Sequence, residues 1–221
     1  MPVIRSVNVG RPRPAPWLAE GRRSSIDKTS VSGPVTVHEL GLEGDQVTNL
    51  KHHGGVDKAV YAFAREDLDF WGDRLGTEIA DGAFGENLTT EGLDVNEAEI
   101  GERWRIGGSE DGGGLLLEVR SMRTPCNVFQ AWVGELGLDA KAWVRRFTEE
   151  GRPGPYLKVL EPGTVRAGDG LVVEHRPGHG VTVTTMFRAL TTERELLPRL
   201  LEVDDLVREA RAKALAARDG R

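Results

Sequence analysis

Glycine and proline interrupt this chain so often that a helical bundle has little room: 28 glycines and 11 prolines stand among its 221 residues, together above average use. Arg11-Pro12-Arg13-Pro14-Ala15-Pro16 forbids regular structure and reads as an extended connector, and Gly151-Arg152-Pro153-Gly154-Pro155 ends a helix. Short strands joined by tight turns fit such punctuation. Val3–Val9, Pro34–Leu40, Ala59–Phe63, Tyr156–Leu160, Gly170–Glu174 and Val181–Phe187 are the predicted strands, the last because Val181 and Val183 alternate with Thr182 and Thr184. Glu99–Ile106 and Leu115–Arg120 predict a hairpin around the linker Gly107 to Gly114, too glycine-rich to pack. Helices are expected at Arg65–Leu75, from the Leu68/Trp71/Leu75 spacing, from Cys126 through Val133, and over Ala140–Glu150, where Trp143, Val144 and Phe147 share a face. With β content spread along the chain, a mainly β fold is expected, a barrel with peripheral helices rather than a separate α/β domain.

From Thr191 the texture changes to Glu, Arg, Leu and Ala, with Leu196/Leu197/Leu200 and Leu206/Ala210/Ala214 at helical spacing. This predicts a small helical unit of about two elements, giving a barrel domain over residues 1–188 and an extension over 189–221. A chain of this length buries enough surface to need no staples. The 29 basic and 35 acidic residues leave a net charge of −6, which argues against nucleic acid polymers or anionic membranes as partners. With one cysteine, no signal-peptide stretch and no run of spanning length, a cytoplasmic protein is expected.

That one cysteine, Cys126, sits in Ser121-Met122-Arg123-Thr124-Pro125-Cys126-Asn127, at the start of a predicted helix. A lone cysteine packs as a small hydrophobe in many proteins, whereas Arg120 and Arg123 nearby would favour the thiolate. Three polar loops offer further chemistry. Gly41-Leu42-Glu43-Gly44-Asp45 precedes His52-His53-Gly54-Gly55-Val56-Asp57-Lys58, where glycines let backbone approach an anion and Lys58 supplies charge. His52 and His53 are adjacent, point to different faces and make a poor metal pair. The second loop, Asp81 to Leu93, holds Glu86 and Asn87 between glycine turns. The third, Ser24-Ser25-Ile26-Asp27-Lys28, sets hydroxyls and a lysine beside a turn, a pattern suited to phosphate.

In this order, Gly-Leu-Glu-Gly-Asp, His-Gly-Gly-Val-Asp-Lys-Ala-Val, Gly-Ala-Phe-Gly-Glu-Asn-Leu-Thr-Thr-Glu-Gly-Leu and Arg-Thr-Pro-Cys resemble the MOSC family, named for the C-terminal domain of molybdenum cofactor sulfurases. The resemblance runs from about Val3 to the end, and is nearest to stand-alone bacterial members linked to resistance against N-hydroxylated purines, which carry a short helical C-terminal extension. It implies a MOSC-type β-barrel and a pterin-based molybdenum cofactor bearing a phosphate, with Cys126 as catalytic residue and molybdenum ligand. A soft thiolate suits that metal. Ser25, Lys28 and Arg123 become candidates for the phosphate and pterin, and Asp45, His53, Gly54, Gly55, Asp57, Lys58, Glu86, Asn87, Thr124 and Asn127 are carried as further cofactor-binding positions. The function implied is reduction of a small N-hydroxylated substrate, as a monomer or homodimer. One cysteine cannot hold an iron–sulfur cluster, and no Gly-x-Gly-x-x-Gly follows a strand, so a separate electron-donor protein is expected. The alternative is a sulfur carrier or cofactor-delivery protein using a Cys126 persulfide. Full sulfurases add a pyridoxal-phosphate domain for which this chain has no room, so pyridoxal phosphate is a family association only and Lys58 is not read as a Schiff-base lysine.

Overall fold

Two strands buried along their whole length lie in the middle of the structure, one an apolar run and the other carrying Glu118, Arg120 and Ser121 inward. Every residue of Val60–Ala64 and of Leu115–Met122 is buried. The structure is a computed structural model and describes residues 1–49, 53–108 and 114–220. Its strands are β1 (Val3–Val9), β2 (Arg13–Pro14), β3 (Arg23–Ser24), β4 (Thr29–Ser30), β5 (Val35–His38), β6 (Gly41–Leu42), β7 (Val60–Ala64), β8 (Leu88–Glu91), β9 (Arg103–Ile106), β10 (Leu115–Met122), β11 (Pro155–Glu161), β12 (Gly163–Val165) and β13 (Leu171–His175). Its helices are α1 (Arg65–Leu75), α2 (Asn127–Glu135), α3 (Trp143–Glu150), α4 (Val183–Thr191) and α5 (Arg208–Arg218). An eight-stranded sheet runs β13-β9-β10-β11-β7-β8-β1-β4, beside a three-stranded sheet β12-β5-β6 and the short hairpin β2-β3.

Pairing in the large sheet is antiparallel except at β7 and β8, where Ala62 faces Leu88 in a parallel register. A parallel pair needs a crossover, which α1 supplies. The hairpin expected before the cysteine segment is present, with Leu115 opposite Ile106 in β10 and β9. Most of its linker, residues 109–113, lies outside the described residues. The fold is a mixed, sheet-rich one with peripheral helices. Its ladders form an open order, and a bridge from Val3 to Gly170 links β1 to the residue preceding β13.

Two sequence expectations are corrected. Val181–Phe187 is not a strand: α4 begins at Val183, capped by the Thr182 hydroxyl, which accepts from the Thr185 N–H at 3.1 Å. Four alternating residues suit either period, and burial of Val183, Met186 and Phe187 selects the helical one. The loop read over Asp81 to Leu93 also gives way, because Leu88–Glu91 is β8, wedged between β7 and β1. Its threonines Thr89 and Thr90 look polar in sequence but are fully buried.

Two apolar clusters divide the interior. One gathers the aromatic residues Phe63, Trp71, Phe84, Phe129, Trp143 and Phe147 under α1, α2 and α3. The other joins sheet residues such as Ile4, Leu115 and Leu171 to Leu197, Leu200, Leu206 and Ala214 of the C-terminal segment. The segment comprises a 3-10 stretch, Arg194–Glu202, and α5, and its apolar residues share one cluster with the sheet. Arg120 of β10 reaches Asp205 at 3.0 Å and reinforces the join. Leu200 is fully buried, so Leu200→Ala should cost about 2–5 kcal/mol in urea unfolding. Because the tail shares a core with the sheet, far-ultraviolet circular dichroism and tryptophan fluorescence should shift together to lower urea; a separate early transition for the tail would contradict that shared core.

Candidate functional site

At one end of the sheet the loops enclose a cavity of about 660 Å³. Its wall takes Ser25 and Lys28 from the segment between β3 and β4, Asp45 and Thr48 from the stretch after β6, and His53, Gly54, Gly55 and Lys58 from the approach to β7. Tyr61 of β7, Asn87 before β8, Tyr156 of β11, and Arg123 and Cys126 from the β10–α2 turn complete it. Segments far apart in sequence thus converge because their strands are neighbours.

Cys126 occupies the N-cap position of α2, with extended backbone at φ −140° and ψ 169°. Its side chain makes no capping bond, leaving the first-turn N–H groups and the positive helix end beside the sulfur. Phe129, Trp132 and Val133 anchor that helix in the aromatic cluster, and the Trp132 Nε1 donates to the Ala83 carbonyl at 2.8 Å. The cysteine is half-buried and unbonded to another sulfur, accessible from the cavity it lines.

Arg123 is 5% exposed. Its guanidinium carbon lies 4.0 Å from the Phe129 ring centroid and 5.1 Å from that of Tyr61, and Nη1 donates to the Phe84 carbonyl. Cys126 is within its electrostatic reach. Arg120, the other arginine expected to favour the thiolate, instead engages Asp57 and Glu118, at 3.0 and 3.3 Å. Strand alternation explains part of this, since side chains two apart share a face and Arg120 lies beside Glu118.

The Phe84 carbonyl is held by the loop beneath it. Glu86 is fully buried and accepts from the Gly82 N–H at 2.6 Å, the Phe84 N–H at 3.1 Å and the Thr89 hydroxyl at 3.1 Å. Gly82 and Gly85 turn with φ of 85° and 80°, and a Cβ on Gly82 would meet the Lys28 carbonyl at 2.9 Å, so glycine is needed there. Burial pushes the Glu86 carboxyl up to about 7, against the opposing pull of its backbone and hydroxyl donors and of Arg123.

Asp45 organises the opposite side. Oδ1 accepts from Lys28 Nζ at 2.5 Å and from the Gly10 N–H at 2.7 Å, and Oδ2 accepts from Asn87 Nδ2 at 2.9 Å. Burial lowers the Lys28 pKa from its usual value, with Asp45 opposing. Asn87 accepts in turn from the Tyr61 N–H at 3.2 Å, which ties this polar network to β7. The Ser25 hydroxyl bonds that of Thr48.

Between these sides, His53 Nδ1 pairs with the Tyr156 hydroxyl at 3.1 Å, while the Tyr61 hydroxyl donates to the Pro153 carbonyl at 2.9 Å. Burial raises the Tyr156 pKa, which keeps the phenol neutral. Of the positions expected from sequence, Ser25, Lys28, Asp45, His53, Gly54, Gly55, Lys58, Asn87, Arg123 and Cys126 line the cavity. Asp57 lies in the 3-10 turn Val56–Lys58 on Arg120, Glu86 sits behind the wall, and Thr124 and Asn127 are exposed flanks of the cysteine turn. His52 lies outside the described residues. Arg22, Arg23, Thr48, Tyr61 and Tyr156 also line the cavity and were missed. The arginines directly precede the Ser24-Ser25 pattern, which was a usable signal; the tyrosines read only as strand core.

The open pocket thus brings together one half-buried thiol, a buried guanidinium, a helix N-terminus and a lysine–aspartate pair. The MOSC domain model matches residues 49–172, more than half of the chain, and this protein belongs to the MOSC domain family. Among curated proteins it is 30% identical to the uncharacterized protein YflK of Bacillus subtilis over 81% of this chain and 76% of that one. It is 32% identical to protein YiiM of Escherichia coli over 67% and 62% of the two chains. A protein named reductase from Gibberella moniliformis is 29% identical over 83% of this chain, which spans only 31% of it. The crystal structure of YiiM from Geobacillus stearothermophilus superposes with a TM-score of 0.75 at 26% identity, covering 97% and 98% of the two chains.

Glu86 gives a pH test of this geometry. Its folded pKa is raised above the ordinary 4.5, so its contribution to stability is fully present below pH 4.5 and is lost as the pH rises through about 7. Glu86→Gln cannot ionise. Relative to wild type, the variant should lose a roughly constant amount for one orphaned backbone donor, on the order of 1–3 kcal/mol, but show a flatter decline of thermal stability between pH 4.5 and 7. Parallel curves for the two proteins would place the titration elsewhere.

Proposed function

We propose that this cavity holds a molybdenum cofactor and that the protein reduces small N-hydroxylated compounds, with Cys126 as the metal ligand. The observation that carries the reading is a single half-buried thiol on the wall of a cavity lined by charged and polar side chains, in a chain of the MOSC family. At about 660 Å³ the cavity is of cofactor size. Among the described residues no group of three or more His, Cys, Asp or Glu side chains is placed to hold a metal ion, so a metal at Cys126 would take its other ligands from a cofactor. The sulfur of Cys126 is suited to that single bond, being soft and set at a positive helix end. Lys28, with Ser25 and the neighbouring Arg22 and Arg23, would meet a cofactor phosphate, and Asp45 would hold the lysine head in place.

When bound, such a cofactor supplies a two-electron centre. The overall change is balanced by two electrons and two protons, converting R–NH–OH to R–NH2 and water. The Tyr156 hydroxyl paired with His53 places an exchangeable proton on the cavity wall. The one cysteine of this sequence cannot hold an iron–sulfur cluster, so this reading needs an electron donor beyond these residues, and we take it to be a separate protein. The reductase name of one relative is in keeping with this chemistry. We also read the curled large sheet, with its Val3–Gly170 bridge, as the barrel of the family, and residues 189–221 as its extension.

Molybdenum measured by mass spectrometry on protein from a cofactor-competent host, beside a cofactor-deficient one, tests the reading. About one metal per chain is expected in the first and none in the second. Cys126→Ala should abolish reduction of a hydroxylaminopurine by a chemical reductant while leaving the circular dichroism spectrum unchanged. Wild type free of molybdenum but carrying a sulfur adduct removed by dithiothreitol would replace this function with that of a sulfur carrier.

A further inference from the structure

Three arginines are buried in the described structure, Arg65, Arg120 and Arg123, and a buried cation costs several kcal/mol unless an anion faces it. Arg65 has Asp69 and Asp81, at 2.8 and 2.6 Å. Arg120 has Asp57, Glu118 and Asp205. Arg123 has no carboxylate within 4.0 Å among the described residues: its side-chain partners are neutral, the Phe84 carbonyl and the Tyr61 hydroxyl, and its guanidinium lies over the Phe129 and Tyr61 rings. Glu86, a carboxyl that feels the Arg123 charge, directs its oxygens to the Gly82 and Phe84 N–H groups and the Thr89 hydroxyl. The exception is the arginine that lines the cavity, three residues before Cys126 and next to an uncapped helix terminus.

We infer that Arg123 and the first turn of α2 form an anion subsite that seats a small carboxylate, or an oxyanion of like size, against the Cys126 sulfur. The planar fork of a guanidinium matches a carboxylate in two parallel hydrogen bonds, and the helix N–H groups add donors from a second direction. The Phe129 and Tyr61 rings hold the guanidinium carbon 4.0 and 5.1 Å from their centroids. This subsite draws its donors from Arg123 and α2, not from the lysine–aspartate pair on the same cavity. It gives Arg123 a role toward a small anionic ligand instead of the cofactor role expected from sequence, and it does not rest on the presence of molybdenum.

Cys126 is the sole cysteine, so alkylation reports on this point alone. The thiolate displaces iodide from either iodoacetate or iodoacetamide, forming one S–C bond as the C–I bond breaks, and only the first reagent carries a carboxylate. Full-length protein made in the cofactor-deficient host should show an iodoacetate-to-iodoacetamide rate ratio about tenfold above that of glutathione at the same pH and ionic strength, the scale of one charge-assisted bond. The iodoacetate reaction should saturate, and sodium acetate should slow it where sodium chloride at equal ionic strength does not. Arg123→Gln should lower the iodoacetate rate at least several-fold more than the iodoacetamide rate. A glutathione-like ratio in wild type, or equal slowing of both reagents in the variant, overturns the inference and leaves Arg123 as a counter-ion for the thiolate. Should the variant not fold, saturation and acetate competition in wild type decide the matter. Loss of the molybdenum reading would leave this result untouched.

Discussion

The site depends on a charge held inside an aromatic cluster. Arg123 lies against Phe129 and Tyr61, and Phe129 packs in turn on Phe84, Trp143 and Phe147, with centroids 5.2 to 5.6 Å apart. Those rings set the position of α2, and α2 sets the position of Cys126. Cation–π attraction and one carbonyl offset part of the desolvation cost, but not in the way a carboxylate would. Arg123 lines the cavity, so the aromatic cluster places a cation on that wall.

A second device holds the other wall. Asp45 spends both oxygens on Lys28, Gly10 and Asn87, so one carboxylate links the end of β1, the segment before β4 and the start of β8. Glu86 acts similarly inside its own loop, where it gathers the N–H groups of Gly82 and Phe84. Loops ordinarily satisfy their backbone in solvent. Here buried acids do that work, which lets glycine-rich loops stand as fixed walls while their outer faces stay open.

Much of the framework was legible because it rests on local rules. The spacing of Leu68, Trp71 and Leu75 marked α1, a short apolar run marked β7, the glycine-rich linker marked the hairpin of β9 and β10, and the Leu and Ala stripes after Thr191 marked helical periodicity there. Val181 to Phe187 failed because a four-residue alternation carries no period of its own, and the Thr182 cap decided for the helix. Thr89 and Thr90 were assigned to a loop because their burial between β7 and β1 depends on partners remote in sequence.

By itself, the sequence determined the family, the strand-and-turn texture, the one cysteine and the loops that would surround it, since each of these depends on residue type and near-neighbour spacing. Tertiary structure alone decided which charges face which. Arg120 and Arg123 are near-equivalent on paper, yet the first is neutralised by Asp57, Glu118 and Asp205 and the second is left facing the cavity. Tyr61 and Tyr156 likewise read as core and become cavity wall because β7 and β11 pair in a register that sets them side by side. The reason is the same in both cases: local patterning fixes a side chain's face on its own element, whereas the opposing charge or ring comes from whatever element the fold brings alongside.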